Sequence, residues 1–354
     1  MEEFDGMDHK TDMKSLTFEE LKAALTQMGE KPFRADQIYQ WMHQRKARGL
    51  DEMTNISGEL KGKLAERFTY TCLTPVQVQE SRMDGTKKFL FRLADGNVVE
   101  SVYMRYHHGI SVCISSQVGC RMGCRFCAST LDGLERNLEP SEMLDQIYAI
   151  SRYTGERVSN VVVMGTGEPL DNYDNLVIFL KLLNDERGLH ISQRNITVST
   201  CGIVPNMRRL ADEKLQITLA LSLHATTDEK RRKLMPVANR YSLSEVLSAC
   251  AYYFEQTGRR ITFEYSLVGG VNDTDQDAAE LSAIASGLCC HVNLIPVNPI
   301  KERDYVQSGK ARIAAFREKL EKNKVTVTVR REMGRDIDGA CGQLRRRYCS
   351  EPEQ

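Results

Sequence analysis

Apolar residues first recur along this chain at helical spacing. Thr17 and Glu20 are placed to form a capping box, and Leu21, Ala24, Leu25 and Met28 then fall on one helix face. A second stripe carries Ile38, Trp41 and Met42, and Ser57 is placed to cap a third helix bearing Leu60, Leu64 and Phe68. Residues 1–74 are therefore expected to form a helical accessory domain with these positions, Trp41 included, packed inward. Between 75 and 106 the period shortens to two. Asp84-Gly85 and Asp95-Gly96 are turn dipeptides flanked by strand-like Lys87–Leu93 and Val98–Met104, which predicts a small antiparallel β linker. From 107 to 354 strand-like and helix-like runs alternate. Strands are expected at Ile110–Ser115, Asn160–Met164, Asn195–Ser199, Ile217–Leu223, Ile261–Leu267, Val292–Pro296 and Val325–Arg330. Helices are expected at Ser141–Tyr153, Asn175–Asn184, Ser244–Gln256 and Asp277–Ala285, among others. Six βα units in series predict parallel strands joined by right-handed crossovers.

Composition changes this picture little. The 354 residues suffice for one large domain and a small one, and 41% hydrophobic with 27% charged residues describes an ordinary globular protein. No run approaches eighteen apolar residues, and the N-terminal Met-Glu-Glu-Phe-Asp lacks a basic stretch before an apolar core, so no membrane span or secretion is expected. Eleven cysteines, an odd number, suit a reducing compartment better than a disulfide framework, which predicts a cytoplasmic location. The 48 basic and 48 acidic residues cancel, a mild argument against nucleic-acid binding. Three local basic runs, Arg45-Lys46-Ala47-Arg48, Lys230-Arg231-Arg232-Lys233 and Arg345-Arg346-Arg347, suit either a phosphate backbone or solvated helix faces.

Chemistry concentrates after the first strand of the alternating region. In Gly-Cys-Arg-Met-Gly-Cys-Arg-Phe-Cys-Ala, residues 119–128, Cys120, Cys124 and Cys127 have the spacing C-x3-C-x2-C. Cysteines so spaced can grip three irons of a 4Fe–4S cube and leave the fourth iron open, as a catalytic cluster needs. A structural zinc site wants a fourth ligand nearby, and a bacterial ferredoxin run wants a fourth cysteine before proline; neither follows here. Inert buried cysteines rarely fall so close together. With Phe126 before the third cysteine, the run resembles the signature of the radical S-adenosylmethionine (SAM) enzymes. That resemblance implies a 4Fe–4S cluster whose open iron is chelated by SAM, and one-electron cleavage of SAM to a 5′-deoxyadenosyl radical. It also implies an α/β fold, a partial (β/α)6 radical-SAM barrel with its site at the C-terminal strand ends.

Other polar residues gather at that predicted rim. Gly165-Thr166-Gly167-Glu168-Pro169 follows a strand; Leu170 stands where a dinucleotide fingerprint would need glycine, so that reading fails. Glu168 offers a carboxylate to an ammonium group and resembles the Gly-Glu-Pro motif that holds the SAM amine. Ser199, Ser222, His224 and Asn298 end or follow further strands, and on residue type alone each serves equally well as a turn, cap or structural residue. Cys341, between Gly339 and Gly342, sits in a flexible-looking segment, whereas Cys113 precedes the first cluster cysteine by seven residues. A chance tail cysteine and a buried apolar cysteine are the plain alternatives for these two. Cys72, Cys201, Cys250, Cys289, Cys290 and Cys349 are taken as ordinary cysteines.

Together the motifs resemble one family closely. Glu100, Cys113, the cluster run with Ala128-Ser129-Thr130, Gly-Glu-Pro, Ser222-Leu223-His224-Ala225, the run 291–299 and Asp-Gly-Ala-Cys-Gly-Gln-Leu at 338–344 are similar to the RlmN/Cfr family of radical-SAM RNA adenine methyltransferases. Gly29 to Trp41 resembles the RlmN branch. The resemblance implies that Cys120, Cys124 and Cys127 bind the cluster, and that Gly167, Glu168, Ser199, Ser222, Leu223, His224 and Asn298 bind SAM. It further implies that Cys341 carries the methyl group, Cys113 resolves the RNA–protein adduct through a transient disulfide, and Glu100 is the proton acceptor; Cys113 also suits that last role. Thr166 stands where methionine is expected. The implied substrates are carbon 2 of adenosine 2503 in 23S rRNA and of adenosine 37 in certain tRNAs, with flavodoxin or ferredoxin as electron donor and a monomeric protein. Two competing readings are a Cfr-type enzyme acting at carbon 8 of the same rRNA adenosine, and a non-catalytic iron–sulfur RNA-binding or electron-transfer protein.

Overall fold

Seven parallel strands in sequence order form the floor on which everything else is placed. The computed structural model describes residues 10–298, 304–337 and 342–350. Strands β4 (Gly109–Ile114), β7 (Val158–Val163), β8 (Ile196–Thr200), β9 (Thr218–Ser222), β10 (Ile261–Leu267), β11 (Cys290–Pro296) and β12 (Val327–Val329) lie side by side in that order. They are rich in Val, Ile and Leu; β4 and β10 are buried along most of their length, as strands covered on both faces are, whereas the edge strand β12 is not. The connections run through α4 (Pro140–Thr154), α5 (Tyr173–Asn184), α6 (Val204–Asp212), α7 (Asp228–Leu234) with α8 (Leu243–Thr257), α9 (Asp275–Ser286) and α10 (Lys310–Lys322). Among the described residues no ladder joins β12 back to β4, so the barrel stays open.

The expected strands and helices stand within a few residues of their places. Helices α6, α7 and α10 had not been singled out. The last buries only Phe316 and Leu320, and α7 is a short charged run, so neither shows a broad apolar face. A hairpin of β5 (Gln117–Gly119) and β6 (Leu134–Asn137) was also not foreseen; it closes the base of the loop that carries Cys120, Cys124 and Cys127. No described helix is long and apolar enough to cross a membrane.

The antiparallel strands β1 (Thr74–Glu80), β2 (Lys87–Arg92) and β3 (Val98–Tyr106) do more than connect. β3 pairs with β4, so the three extend the barrel sheet to ten strands. Their surface receives the C-terminal helix α11 (Gln343–Ser350): Leu344 packs fully buried on Leu90 and Val98, and Arg92 donates to the Tyr348 hydroxyl at 2.7 Å.

The N-terminal helices are α1 (Phe18–Gln27), α2 (Phe33–Tyr39) and α3 (Gly58–Arg67), with the Thr17–Glu20 capping box and the Ser57 cap both formed. Trp41 is only partly buried; its indole N–H donates to Asn55 at 2.6 Å and the Arg45 guanidinium lies 4.2 Å from its ring centre. The module shares one core with the barrel and is fastened to α4 by buried polar contacts. Lys14 pairs with Asp145 at 3.3 Å, and His43 Nδ1 and the Tyr148 hydroxyl share a hydrogen bond of 2.6 Å.

Burial, and then Lys14, hold the His43 imidazole down to about 3, so it is neutral in the fold. The unfolded chain binds this proton near 6.5. Stability is therefore complete above that value and declines as pH falls from 6.5 towards 3. Between pH 7 and pH 5 the wild type is expected to lose about 2 kcal/mol more than His43→Gln, which keeps an acceptor for Tyr148 but cannot titrate. Urea unfolding at the two pH values checks this; equal losses would refute it.

Candidate active site

A cavity of about 1340 Å³ opens where the parallel strands end. Cys113, Cys120, Cys124, Cys127, Gly167, Glu168, Ser199, Ser222, His224, Asn298 and Glu100 all border it. Leu223 does not: it is fully buried, and its N–H donates to the Glu264 carbonyl at 3.0 Å. Cys341 lies outside the described residues.

The three-cysteine loop is clasped from several sides. Cys120 N–H donates to the Gly133 carbonyl at 2.7 Å, and the Thr130 hydroxyl bonds the Cys124 and Cys127 carbonyls at 3.0 Å each. Arg121 grips Asp171 with two nitrogens at 2.9 and 2.5 Å, and Arg125 N–H reaches the Leu234 carbonyl at the end of α7. Burial pushes the Cys120 thiol up to about 12, with Cys127 and Glu168 adding, and pushes Cys124 well above its ordinary value, with Cys127 and Cys120 adding. Sulfurs that raise one another in this way gain from a shared cation, which ligates thiolates and removes the repulsion. No trio of His, Cys, Asp or Glu among the described residues converges on a single ion position. Three thiolates, one to each of three irons, are the donor set that a 4Fe–4S cube with an open fourth iron takes.

A fourth cysteine lies close by. Cys201 shares an apolar cluster with Cys124, and burial followed by the Glu168 carboxylate holds its thiol protonated.

Glu168 itself is fixed by Cys201 N–H at 2.8 Å and Leu170 N–H at 3.1 Å; burial raises its carboxyl against those bonds. Gly167, at φ +111°, lies so close to Ser116 and Gln117 that a Cβ would come within 2.8 Å of both. This explains the glycine through its approach to the end of β4. Ser199 and Ser222 face each other at 3.4 Å between their hydroxyls. His224, at φ +54°, accepts from Ser266 N–H through Nδ1 at 2.9 Å and stands edge-on to Phe126, with ring centres 4.7 Å apart. Burial and Arg231 lower it to about 3, so it is neutral with its hydrogen on Nε2.

Glu100 and Cys113 project to the same face from neighbouring strands. Cys113 pairs with Val102, two residues beyond Glu100. Both Glu100 oxygens are occupied. Oε2 meets Lys88 Nζ at 2.8 Å and Gly342 N–H at 2.7 Å, and Oε1 accepts from Arg345 N–H at 2.5 Å. Gly342, at φ +80°, lies against the turn after Cys127, where a Cβ would come 2.9 Å from the Ser129 nitrogen. The residue next to Cys341 is thus pinned between the extension sheet and the cysteine loop.

Two contributors, Lys88 and Glu264, carry no signal in the sequence. Lys88 lies in a strand pattern that gives no sign of an ion pair. Glu264, on β10, borders the cavity with its carboxyl raised by burial and accepts from Asn293 at 2.8 Å. The run 230–233 was read as phosphate-binding or solvated; Arg231 is neither, being fully buried, and Lys230 bonds Asp277 at 2.6 Å. Arg345 is likewise committed, its Nε donating to the Val98 carbonyl at 3.1 Å.

Known proteins align with both parts of this architecture. Residues 114–282 match the profile of the Radical SAM superfamily, and residues 11–69 that of the ribosomal RNA large subunit methyltransferase N-terminal domain. A probable dual-specificity RNA methyltransferase RlmN of Lachnospira eligens is 65% identical over 97% of this chain and 98% of its own length. One of Clostridioides difficile is 54% identical over 95% and 98%. The crystal structure of a radical SAM methyltransferase from Sphaerobacter thermophilus superposes with a TM-score of 0.90 at 42% identity, covering 94% of this chain and 98% of that one. With near-complete coverage of relatives 54–65% identical to it, this chain belongs to the RlmN family of radical-SAM RNA methyltransferases.

Proposed function

We propose that this chain methylates carbon 2 of adenosine, at position 2503 of 23S rRNA and position 37 of certain tRNAs, through S-methylcysteine on Cys341 and a transient Cys113–Cys341 disulfide. One observation carries the reading. Cys113, Glu100 and the three closely spaced cysteines border one cavity, and Gly342, beside Cys341, is bonded to Glu100 at its edge. Cys120, Cys124 and Cys127 would each ligate one iron of a 4Fe–4S cluster. Gly167, Glu168, Ser199, Ser222, His224 and Asn298 would hold SAM, while Leu223, buried away from the cavity, only fixes the strand end that presents Ser222 and His224. When bound, the cluster and SAM supply a one-electron route to a carbon radical, which suits a ring carbon too electron-poor to act as a nucleophile.

The chain's own share is sulfur and proton chemistry. The Cys341 thiolate accepts a methyl group by displacement, the step for which a thiolate is suited. Once that carbon is joined to the base and the base proton has been removed, the Cys113 thiolate attacks the Cys341 sulfur. The disulfide forms as the sulfur–carbon bond breaks, and the electron pair of that bond goes to the methylene carbon, which takes up a proton to become the methyl group as the base leaves. Glu100 is the proton acceptor in this reading, its carboxylate held at the cavity by Gly342 and Arg345 N–H and by Lys88. We read residues 1–74 as the accessory domain, 75–106 as the β linker and 107–354 as the catalytic domain of a cytoplasmic monomer reduced by flavodoxin or ferredoxin.

The test is anaerobic incubation with 23S rRNA fragment or tRNA, SAM and dithionite, followed by mass spectrometry of the nucleosides. The expected product from both is 2-methyladenosine. A product of 8-methyladenosine would identify a Cfr-type enzyme, and absence of 5′-deoxyadenosine would favour a non-catalytic iron–sulfur protein. Cys201 offers a second discrimination: Cys201→Ala is expected to keep full iron and sulfide content, whereas a cluster lost with Cys201 would mean a four-thiolate, electron-transfer site.

A further inference from the structure

Arg231 is fully buried, the largest side chain to be so among the described residues. Its Nη2 donates to the Cys201 carbonyl at 2.6 Å, while Nε and Nη1 have no hydrogen-bond partner among the described residues. A guanidinium does not give up its proton, so this is a buried cation with most of its donors unanswered. Such a group is strongly unfavourable unless a negative charge lies near it.

Its surroundings indicate where that charge belongs. Cys201, whose carbonyl Arg231 holds, packs in one apolar cluster with Cys124, and Gly202 lies directly against the guanidinium. Leu234 and Met235, at the end of the same helix, share an apolar cluster with Cys124 and Cys201. Arg125 N–H fastens the cysteine loop to the Leu234 carbonyl at 2.9 Å. Helix α7 therefore backs the loop, with Arg231 behind it.

We infer that Arg231 is the buried counter-cation of the 4Fe–4S cluster, a positioning residue that favours its reduced form. The inference rests on Cys120, Cys124 and Cys127 holding such a cluster. A cube on three thiolates carries one net negative charge when oxidised and two when reduced. A fixed positive charge nearby stabilises the second state more than the first, and net charge is among the levers that set cluster potentials. The same contact answers the unpaired arginine, so the apoprotein bears a charge that the loaded protein neutralises.

The experiment is a potentiometric titration of anaerobically reconstituted protein, without RNA, read by the electron paramagnetic resonance signal of the reduced cluster. Arg231→Gln keeps a donor for the Cys201 carbonyl but removes the charge. Its reduced fraction at a fixed solution potential is expected to fall about tenfold, equivalent to a midpoint about 59 mV lower. Arg231→Lys keeps the charge and is expected to stay within about twofold of wild type. A Gln midpoint equal to wild type overturns the inference, as does a Lys variant that falls as far as Gln. Should wild type and variants all take up no iron and sulfide, the cluster assignment itself fails, a result distinct from equal midpoints.

Discussion

Cys113→Ala is expected to accumulate a covalent complex with RNA and to turn over at less than about a thousandth of the wild-type rate, as removal of a covalent-catalysis group commonly does. In the proposed sequence Cys113 acts last, so its loss stops the reaction after carbon is joined to the base and before sulfur is released. Cys341→Ala stops it before any bond forms, and no complex is expected. Denaturing gels with labelled RNA distinguish the two, and mass spectrometry locates the crosslink at Cys341. The contrast follows from placement: Cys113 is a buried residue of β4 on the cavity wall, and Gly342, the residue after Cys341, is bonded to Glu100 on the same cavity. Normal turnover by Cys113→Ala would remove the disulfide from the account. A complex formed by Cys341→Ala would remove the methyl carrier.

The sequence exposed features governed by short-range rules. The Thr17–Glu20 box, the Asp-Gly turns and the valine-rich strands obey local propensity and period, and all stand in the structure where those rules put them. Residues whose role depends on remote neighbours were not legible. Arg231 lies in a run of four basic residues, and nothing in that run tells which one the helix turns inward. Lys88 alternates correctly for a strand, yet its partner Glu100 comes from the next strand, and the atoms that share Glu100 come from more than 240 residues further on. The extension sheet looked like a connector because its second duty, receiving α11, arises only when the two chain regions meet.

That second duty can be broken without touching the cysteines. Lys88 and Glu100 are each at most 2% exposed. Lys88→Met leaves the Glu100 carboxylate buried beside two backbone N–H groups and without its cation. Breaking a buried pair in this way is expected to destabilise the protein by about 3–5 kcal/mol. Adding Glu100→Met should recover most of that loss, because a buried pair replaced by apolar side chains of similar volume is often neutral. The recovery should not extend to the C-terminal segment. Gly342 and Arg345 N–H then have no acceptor at that position, so α11 is left with Leu344, the Arg345–Val98 bond and the Arg92–Tyr348 bond to hold it to the sheet. Trypsin cleavage at Arg345–Arg347 is expected to quicken at least about tenfold in the double variant, at a folding stability near wild type, because cleavage follows the population of the opened segment. Cys341 methylation, read as a mass increment on its peptide, should fall in parallel while iron content holds. If the double variant keeps wild-type protection, Glu100 does not dock this segment, and its place in the site has to be explained by proton transfer alone.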